Sequence, residues 1–461
     1  MAREGSDLFV GVHVNATSLL DEGVERVLDR CRTEADANAV MLAAHGFNPE
    51  VIDRPVRSVG HGGSEPHRSA GGFFATSHPE YYKDLPLGDF RVREGMFEGF
   101  DALEATLPTA HAQGMSVYVY LLESAGTGGR QLNISGFPRL LEIDVLGRRA
   151  GLPCINNPSY RSWKLALVED ISKSYDVDGF LWGMERWGPL HQVMVGEIPA
   201  CFCEHCESIA RQRGVDFDRV RKGYRELWQG LRRWSSEEAG RSSPVEVLRI
   251  FLAHPESIAW EHIWTERYLA LHKEVYGVAK WISPHRPFGL GLWHYYFINP
   301  LLQAEWNVAE LTASADFIRP ILYHLPEGPR AQRFMDALVQ GPFRGLSAGG
   351  LFAWVCTALG LQVPALEEVR ATGFPAEYVA QGVGIVRREV GGKVPIYAGI
   401  GVDVVQDGLA RTMEPDDVIR AVQAAVRAGA DGITVSRNYA EMRLQNLRAV
   451  GFALRELRGR A

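Results

Sequence analysis

The stretch Val426–Ser436, VRAGADGITVS, ends a helical pattern at a glycine and enters an apolar β-rich run within a few residues. Ala110–Tyr120, AHAQGMSVYVY, repeats that grammar. A glycine closes a helix because it alone enters the left-handed conformation freely, and the chain can then turn at once into a strand. Working outward from these two phrases, short apolar runs recur along the whole chain: Leu8–Val14, Ala39–Ala44, Ser116–Leu122, Gly179–Gly183, Phe288–Trp293, Phe317–Tyr323, Val394–Gly399 and Gly432–Val435. Several are apolar without alternation, as strands buried on both faces must be. Between them, Leu19–Arg32, Met96–Gln113, Tyr160–Tyr175, Pro375–Val390 and Pro415–Ala428 place apolar residues three and four apart, the helical period. Alternation of this kind predicts an α/β (β/α)8 TIM barrel. The competing open doubly wound sheet would carry a phosphate-binding glycine fingerprint after its first strand, and VHVNATSLLDEG, from Val12, has none.

The chain has 461 residues, long for one barrel, and the excess is expected as loops: one barrel domain over 1–461, with insertions at about 48–90 and 198–287. The first is rich in Gly, His, Pro and Ser and follows the second strand, where a long irregular segment suits an active-site lid. The second reads as mostly helical and carries Trp228, Trp234, Trp260 and Trp264. Forty-nine basic against 56 acidic residues give a net charge of -7 without a Lys/Arg run, which argues against nucleic acid as a partner. No 18-residue apolar stretch and no signal-peptide pattern are present, so no membrane partner and a cytoplasmic location are expected.

In a barrel of this type catalytic groups sit where strands stop. The first strand delivers His13 and Asn15, the second His45 and Asn48, the third Glu123, and the fourth Glu185, Arg186 and Trp187. The fifth delivers Trp293, His294 and Tyr295, the sixth Tyr323 and His324, the seventh Asp403, and the eighth Ser436, Arg437, Asn438 and Glu441. Aromatic faces suit the apolar faces of sugar rings, and Asn, His and Arg suit hydroxyls or a carboxylate, so a small carbohydrate is the expected substrate. Aromatic residues at strand ends also simply close a barrel top.

The sharpest acid is Glu185 in DGFLWGMERWGPL, where a buried strand end and flanking Trp182 and Trp187 would raise its pKa as a general acid requires. Arg186 beside it is the group that would instead pair with it. Asp403 at the seventh strand is the expected second carboxylate of a two-carboxylate hydrolysis, with Glu123 in reserve. CFCEHC places Cys201, Cys203 and Cys206 at three corners of a tetrahedral zinc site. Cys154, in GRRAGLPCINNPSYR, is the expected fourth ligand and His205 its competitor; four thiolates leave no open position, so the zinc would be structural.

With those residues quoted, the chain resembles the glycoside hydrolase barrels of clan A, and over about 145–210 the family 42 β-galactosidases, through GRRAGLPCINNPSYR, Glu185 and CFCEHC. The resemblance implies zinc on Cys154, Cys201, Cys203 and Cys206, with Glu185 as acid/base; no organic cofactor is expected. Two departures stand out: Met184 precedes Glu185 where that family has Asn, and Asp403 stands where its nucleophile is Glu. Elsewhere the chain, with its C-terminal GADGITVSRNYAEM, is similar to uncharacterised glycosyl-hydrolase-like proteins. A sialidase-type or other inverting barrel acting on an acidic sugar, served by Arg319, Arg437 and strand-end histidines, is an alternative. So is a metal-dependent lyase or isomerase using His13, His45, His294 or His324, and so is a non-catalytic carbohydrate-binding barrel. A homo-oligomer is compatible with all of them.

Overall fold

The computed structural model describes residues 8–46, 72–88, 90–91, 97–123, 136–234, 243–404 and 408–459. Eight parallel strands close into a barrel: β1 (Phe9–Asn15), β2 (Ala39–Ala43), β3 (Ser116–Glu123), β4 (Gly179–Met184), β5 (Phe288–Leu292), β6 (Phe317–Leu322), β7 (Tyr397–Gly401) and β8 (Gly432–Ser436). Sequential strands are neighbours, and β8 returns to β1 through the register Phe9↔Gly432 to Val12↔Val435. All eight expected runs are strands. The seventh starts late: Ile396 makes an isolated bridge with Ile318, and the ladder itself runs from Tyr397 to Gly401.

Helices fill the outer ring at the expected places, with ends set by local chemistry. Leu19–Arg32 is two helices, Ala16–Glu22 and Val24–Ala35, broken at Gly23, whose φ of 87° no helix contains. The helix expected from Met96 starts at Ala102, because the Asp101 carboxylate accepts the backbone N–H of Leu103 at 3.0 Å and of Glu104 at 2.9 Å. Such a cap stabilises a helix start by about 1 kcal/mol. Of the first insertion, residues 48–71 lie outside the described residues, and Gly72–Phe73 pairs antiparallel with His45–Gly46. The stretch 198–287 is helical as expected, with Glu204–Gln212, Phe217–Trp234 and Ser243–Ala253 before Glu256–Ile282. That last helix belongs to the barrel ring, where Glu274 pairs with Arg161 on the neighbouring helix Pro158–Ser174 at 2.5 Å. No helix among the described residues is long and apolar enough to cross a membrane.

Inside the barrel the side chains form layers with different chemistry. At the N-terminal end an aromatic plug closes the bottom: Phe9 stacks on Tyr397 at 4.3 Å, and Tyr118 and Phe317 complete it. Above the plug the interior turns polar, because inward positions recur every second residue and lead from Phe9 to His13, from Tyr118 to Tyr120, from Phe317 to Arg319 and from Gly432 to Thr434 and Ser436. Glycines make room for the large ones. A Cβ at Gly183 would meet the Tyr120 hydroxyl at 2.8 Å, and one at Gly399 would meet Arg319 Nε at 3.0 Å.

Candidate active site

Glu185 follows the last residue of β4 and is half-buried at the barrel mouth. Tyr120, inward on β3, donates its hydroxyl to Glu185 Oε1 at 3.2 Å. Burial raises the Glu185 pKa above the ordinary carboxylate value, and the positive charges of Arg319, Arg330 and Arg437, with the Tyr120 bond, restrain that rise. Desolvation therefore wins over three cations, which is the balance a proton donor requires. The Tyr120 hydroxyl is itself pushed well above its usual value by burial and by the neighbouring Glu185 charge, so it donates rather than ionises.

The floor beneath Glu185 is a hydrogen-bonded set. Arg319, buried on β6, donates through Nε to Thr434 Oγ1 at 2.9 Å and through its terminal nitrogen to the hydroxyls of Tyr323, at 3.2 Å, and of Ser436. His13, 4% exposed on β1, lies edge-on to Tyr120 with ring centroids 4.8 Å apart. Burial, aided by Arg319, holds its imidazole well below the usual pKa, so it is neutral at physiological pH. Asn15 ends β1 half-buried.

One wall of the mouth is aromatic. Trp187 packs on Trp293 and on Tyr295, each with centroids 4.8 Å apart. His294, behind them, bonds through Nδ1 to Glu327 Oε1 at 3.0 Å, and Glu327 also faces Arg330 at 3.7 Å. Opposite, Arg437 grips Glu441 through two nitrogens, one pair at 3.0 Å, and its charge also acts on Glu185.

Several expected site residues bond to groups other than Glu185. Arg186 is 1% exposed and points into the protein, bonding Glu142 Oε1 and the Pro153 carbonyl at 2.6 Å each. It ties the end of β4 to the hairpin Leu141–Ile143/Arg149–Pro153 and does not pair with Glu185. Asp403 accepts the Arg443 backbone N–H at 2.7 Å, Arg443 Nε at 3.0 Å and Asn446 Nδ2 at 2.9 Å. Both its oxygens are thus occupied at the start of the helix Leu444–Arg458. Asn438 caps the turn Tyr439–Glu441 by accepting the Ala440 N–H at 3.2 Å. His324, 2% exposed, faces Asp417, Arg411 and Arg420 rather than the groups around Glu185, and burial lowers its pKa to about 4. The backbone puts Glu123 opposite Met184 at the end of β3 and His45 in its short strand; their side chains and Asn48 lie outside the described part. Tyr120, Thr434 and Glu327 were missed by reading only strand ends, since two lie mid-strand and one lies inside a helix. The period-two pattern of YVYLLE would have found Tyr120.

The cysteines converge as expected. Cys154, Cys201, Cys203 and Cys206 are all buried, and their sulfurs lie within 4.8 Å of one another. Cys154 Sγ stands 3.6 Å from Cys206 Sγ and 3.5 Å from Cys203 Sγ. Four thiolates about 2.3 Å from one zinc ion would stand about 3.8 Å apart, so the donor set fits a tetrahedral ion. Hydrogen bonds from the other three thiols hold Cys203 far below the usual thiol pKa, while burial pushes Cys201 and Cys206 well above it. His205, the rival fourth ligand, is partly exposed and lies beside Glu204, 3.7 Å away. The hairpin positions the cluster: Phe202 N–H bonds the Ile143 carbonyl at 2.7 Å, and Ile143 N–H points at Cys201 Sγ at 3.4 Å.

No protein-family model matches this sequence, and no curated protein matches it. Solved structures do. The β-galactosidase of the Antarctic haloarchaeon Halorubrum lacusprofundi is 13% identical with a TM-score of 0.56, covering 98% of this chain and 58% of that one. The β-galactosidase of Rahnella sp. R3 is 16% identical with a TM-score of 0.53, covering 99% of this chain and 56% of that one. The PgaB (BpsB) glycoside hydrolase domain of Bordetella bronchiseptica is 12% identical with a TM-score of 0.52, covering 98% of each chain. The fold is one that glycoside hydrolases use. The chain spans under two thirds of the galactosidases' length and nearly all of the PgaB domain.

Proposed function

We propose that this chain is a glycoside hydrolase whose proton donor is Glu185. The observation that carries the reading is a half-buried acid at the end of β4 whose pKa burial raises against three arginine charges, two residues before Trp187, which packs with Trp293 and Tyr295. A sugar ring would lie on those faces while Glu185 delivers its proton to the leaving oxygen, and Tyr120 would orient the carboxyl. Two carboxylates stand as candidates for the second role: Glu441, held through both oxygens by Arg437, whose charge also acts on Glu185, and Asp403, held by Arg443 and Asn446. We assign to Cys154, Cys201, Cys203 and Cys206 a structural zinc ion that braces the loop after β4. When bound, the ion would supply cross-linking rather than chemistry, since four thiolates fill its coordination.

An acidic sugar is a second reading, favoured by the positive charges of Arg319, Arg330 and Arg437 all acting on Glu185. A screen of chromogenic glycosides that includes a uronide and a sialoside tests both. The expected result is hydrolysis of at least one, abolished in Glu185→Gln for poor leaving groups and restored for activated ones. Turnover unchanged in Glu185→Gln would end the assignment.

A further inference from the structure

Beside the mouth, and separate from the cysteine cluster, three side chains from three helices meet in the interior. They are His191 on Pro189–Met194, Glu261 on Glu256–Ile282 and Glu305 on Pro300–Glu305. One ligand atom from each lies within 4.8 Å of the others. His191 Nδ1 stands 3.7 Å from Glu261 Oε1 and 3.7 Å from Glu305 Oε2. His191 is 2% exposed and Glu261 4%, and Glu305 is nearly covered.

We propose that His191, Glu261 and Glu305 bind a divalent first-row cation such as Mn²⁺. Three observations carry this. Among the described residues neither His191 nitrogen has a hydrogen-bond partner, although the ring is buried, and Glu261 Oε1 and Glu305 Oε1 lack partners as well. Buried polar atoms are nearly always satisfied, so several converging exceptions mark a place where something else binds. A proton shared between the two carboxyls would settle their repulsion and still leave His191 Nδ1 facing oxygens beyond hydrogen-bond reach. A cation takes the imidazole lone pair and both negative charges at once.

The second observation is the support behind the ligands. Glu261 Oε2 accepts the Leu190 N–H at 2.9 Å and the Tyr224 hydroxyl at 2.7 Å, which fixes the carboxylate and turns Oε1 toward His191. Ligating carboxylates in metal sites are held in this way. The third is the space left for them: a Cβ at Gly188 would stand 2.2 Å from Glu261 Oε1, so only glycine leaves the carboxylate its position. Ligand atoms about 2.1 Å from one ion stand about 3 to 3.5 Å apart, so each 3.7 Å separation from His191 needs to close by a few tenths of an ångström, and the two carboxylate oxygens already lie within 4.8 Å of each other.

The ion would be structural, because two of its ligands are buried, the third is nearly covered, and they come from the segments after β4 and β5. Those segments carry the aromatic wall, and the Trp187 ring lies parallel to that of His191, 5.8 Å away and tilted by 6°. The proposal does not depend on the glycosidase reading.

The test is titration of the purified protein with Mn²⁺, followed by loss of the free-ion electron paramagnetic resonance signal. Thiolates are poor ligands for Mn²⁺, which separates this site from the cysteines. One Mn²⁺ bound per chain is expected, retained in Cys206→Ser and weakened at least roughly tenfold in Glu305→Gln and in His191→Gln. Glu305→Gln is nearly isosteric; if it does not fold, His191→Gln gives the same reading. Absence of Mn²⁺ binding by the parent chain, or binding unchanged in a folded ligand variant, would overturn the proposal.

Discussion

The Tyr120 hydroxyl donates to Glu185 Oε1 across 3.2 Å, linking an inward residue of β3 to the acid that follows β4. This bond favours the ionised carboxylate and so works against the burial that raises the Glu185 pKa. Tyr120→Phe removes it without changing the ring. The expected result is an alkaline limb of the kcat profile moved to higher pH, because the donor must be protonated to act and keeps its proton longer. Glu185→Gln is expected to cost about 10²- to 10⁴-fold in kcat on unactivated substrates. An alkaline limb that stays put in Tyr120→Phe would detach that limb from Glu185.

Asp403 is predicted to matter for stability rather than for chemistry. Its bonds to Arg443 and Asn446 anchor the start of the last helix, and hydrogen bonds to charged groups contribute about 1.5 to 3 kcal/mol each. Because such bonds do not add, Asp403→Ala is expected to lower the unfolding free energy by at least about 2 kcal/mol, with a lower denaturation midpoint, while kcat of the folded fraction stays near the parent value. A kcat loss comparable to that of Glu185→Gln, with stability intact, would return Asp403 to the catalytic pair.

The barrel was legible because buried parallel strands leave an unbroken apolar trace, as in Phe288–Leu292 and Gly432–Ser436, and because crossover helices must carry a 3.6-residue period. The cysteine cluster was legible because thiolate spacing is local in Cys201, Cys203 and Cys206, and the hairpin supplied Cys154. What was not legible is which side of a strand-end residue faces substrate. Arg186 and Asp403 sit at strand ends, yet one turns inward to Glu142 and the other is claimed by a helix forty residues on. Partners that distant in sequence leave no periodic signal. His191, Glu261 and Glu305 escaped for the same reason, since three separate helices bring them together.

Acid sensitivity follows from two buried histidines outside the mouth. Burial lowers His272 to about 3 and His324 to about 4, both below the 6.5 of an exposed imidazole. The unfolded chain takes up a proton at each below about pH 6.5, whereas the folded chain refuses it until about pH 3 or 4. Stability is thus full above pH 6.5 and falls as pH drops through that window, by about 1.4 kcal/mol per pH unit for each histidine. Urea unfolding at a series of pH values checks this, and His272→Gln should reduce the slope by one proton. A parent slope near zero between pH 6 and pH 4.5 would contradict it.

The last prediction concerns the brace beneath Glu185. Arg186 and Glu142 form a fully buried pair at 2.6 Å that joins β4 to the hairpin, and the hairpin in turn delivers Cys154 to the other three thiols. Breaking such a pair by removing one partner costs about 3 to 5 kcal/mol, because the other charge is left buried. Glu142→Gln is therefore expected to lower stability on that scale. If zinc ties the same hairpin to the loop after β4, it will also release its metal faster to a chelator than the parent chain does. Cys206→Ser should lose the zinc outright while leaving the Arg186 pair in place, so the two variants separate the ion's contribution from the ion pair's. Metal analysis by mass spectrometry alongside thermal melts provides the measurement. A parent chain purified without zinc, with Cys206→Ser melting at the same temperature, would show that four free thiols suffice to hold this loop.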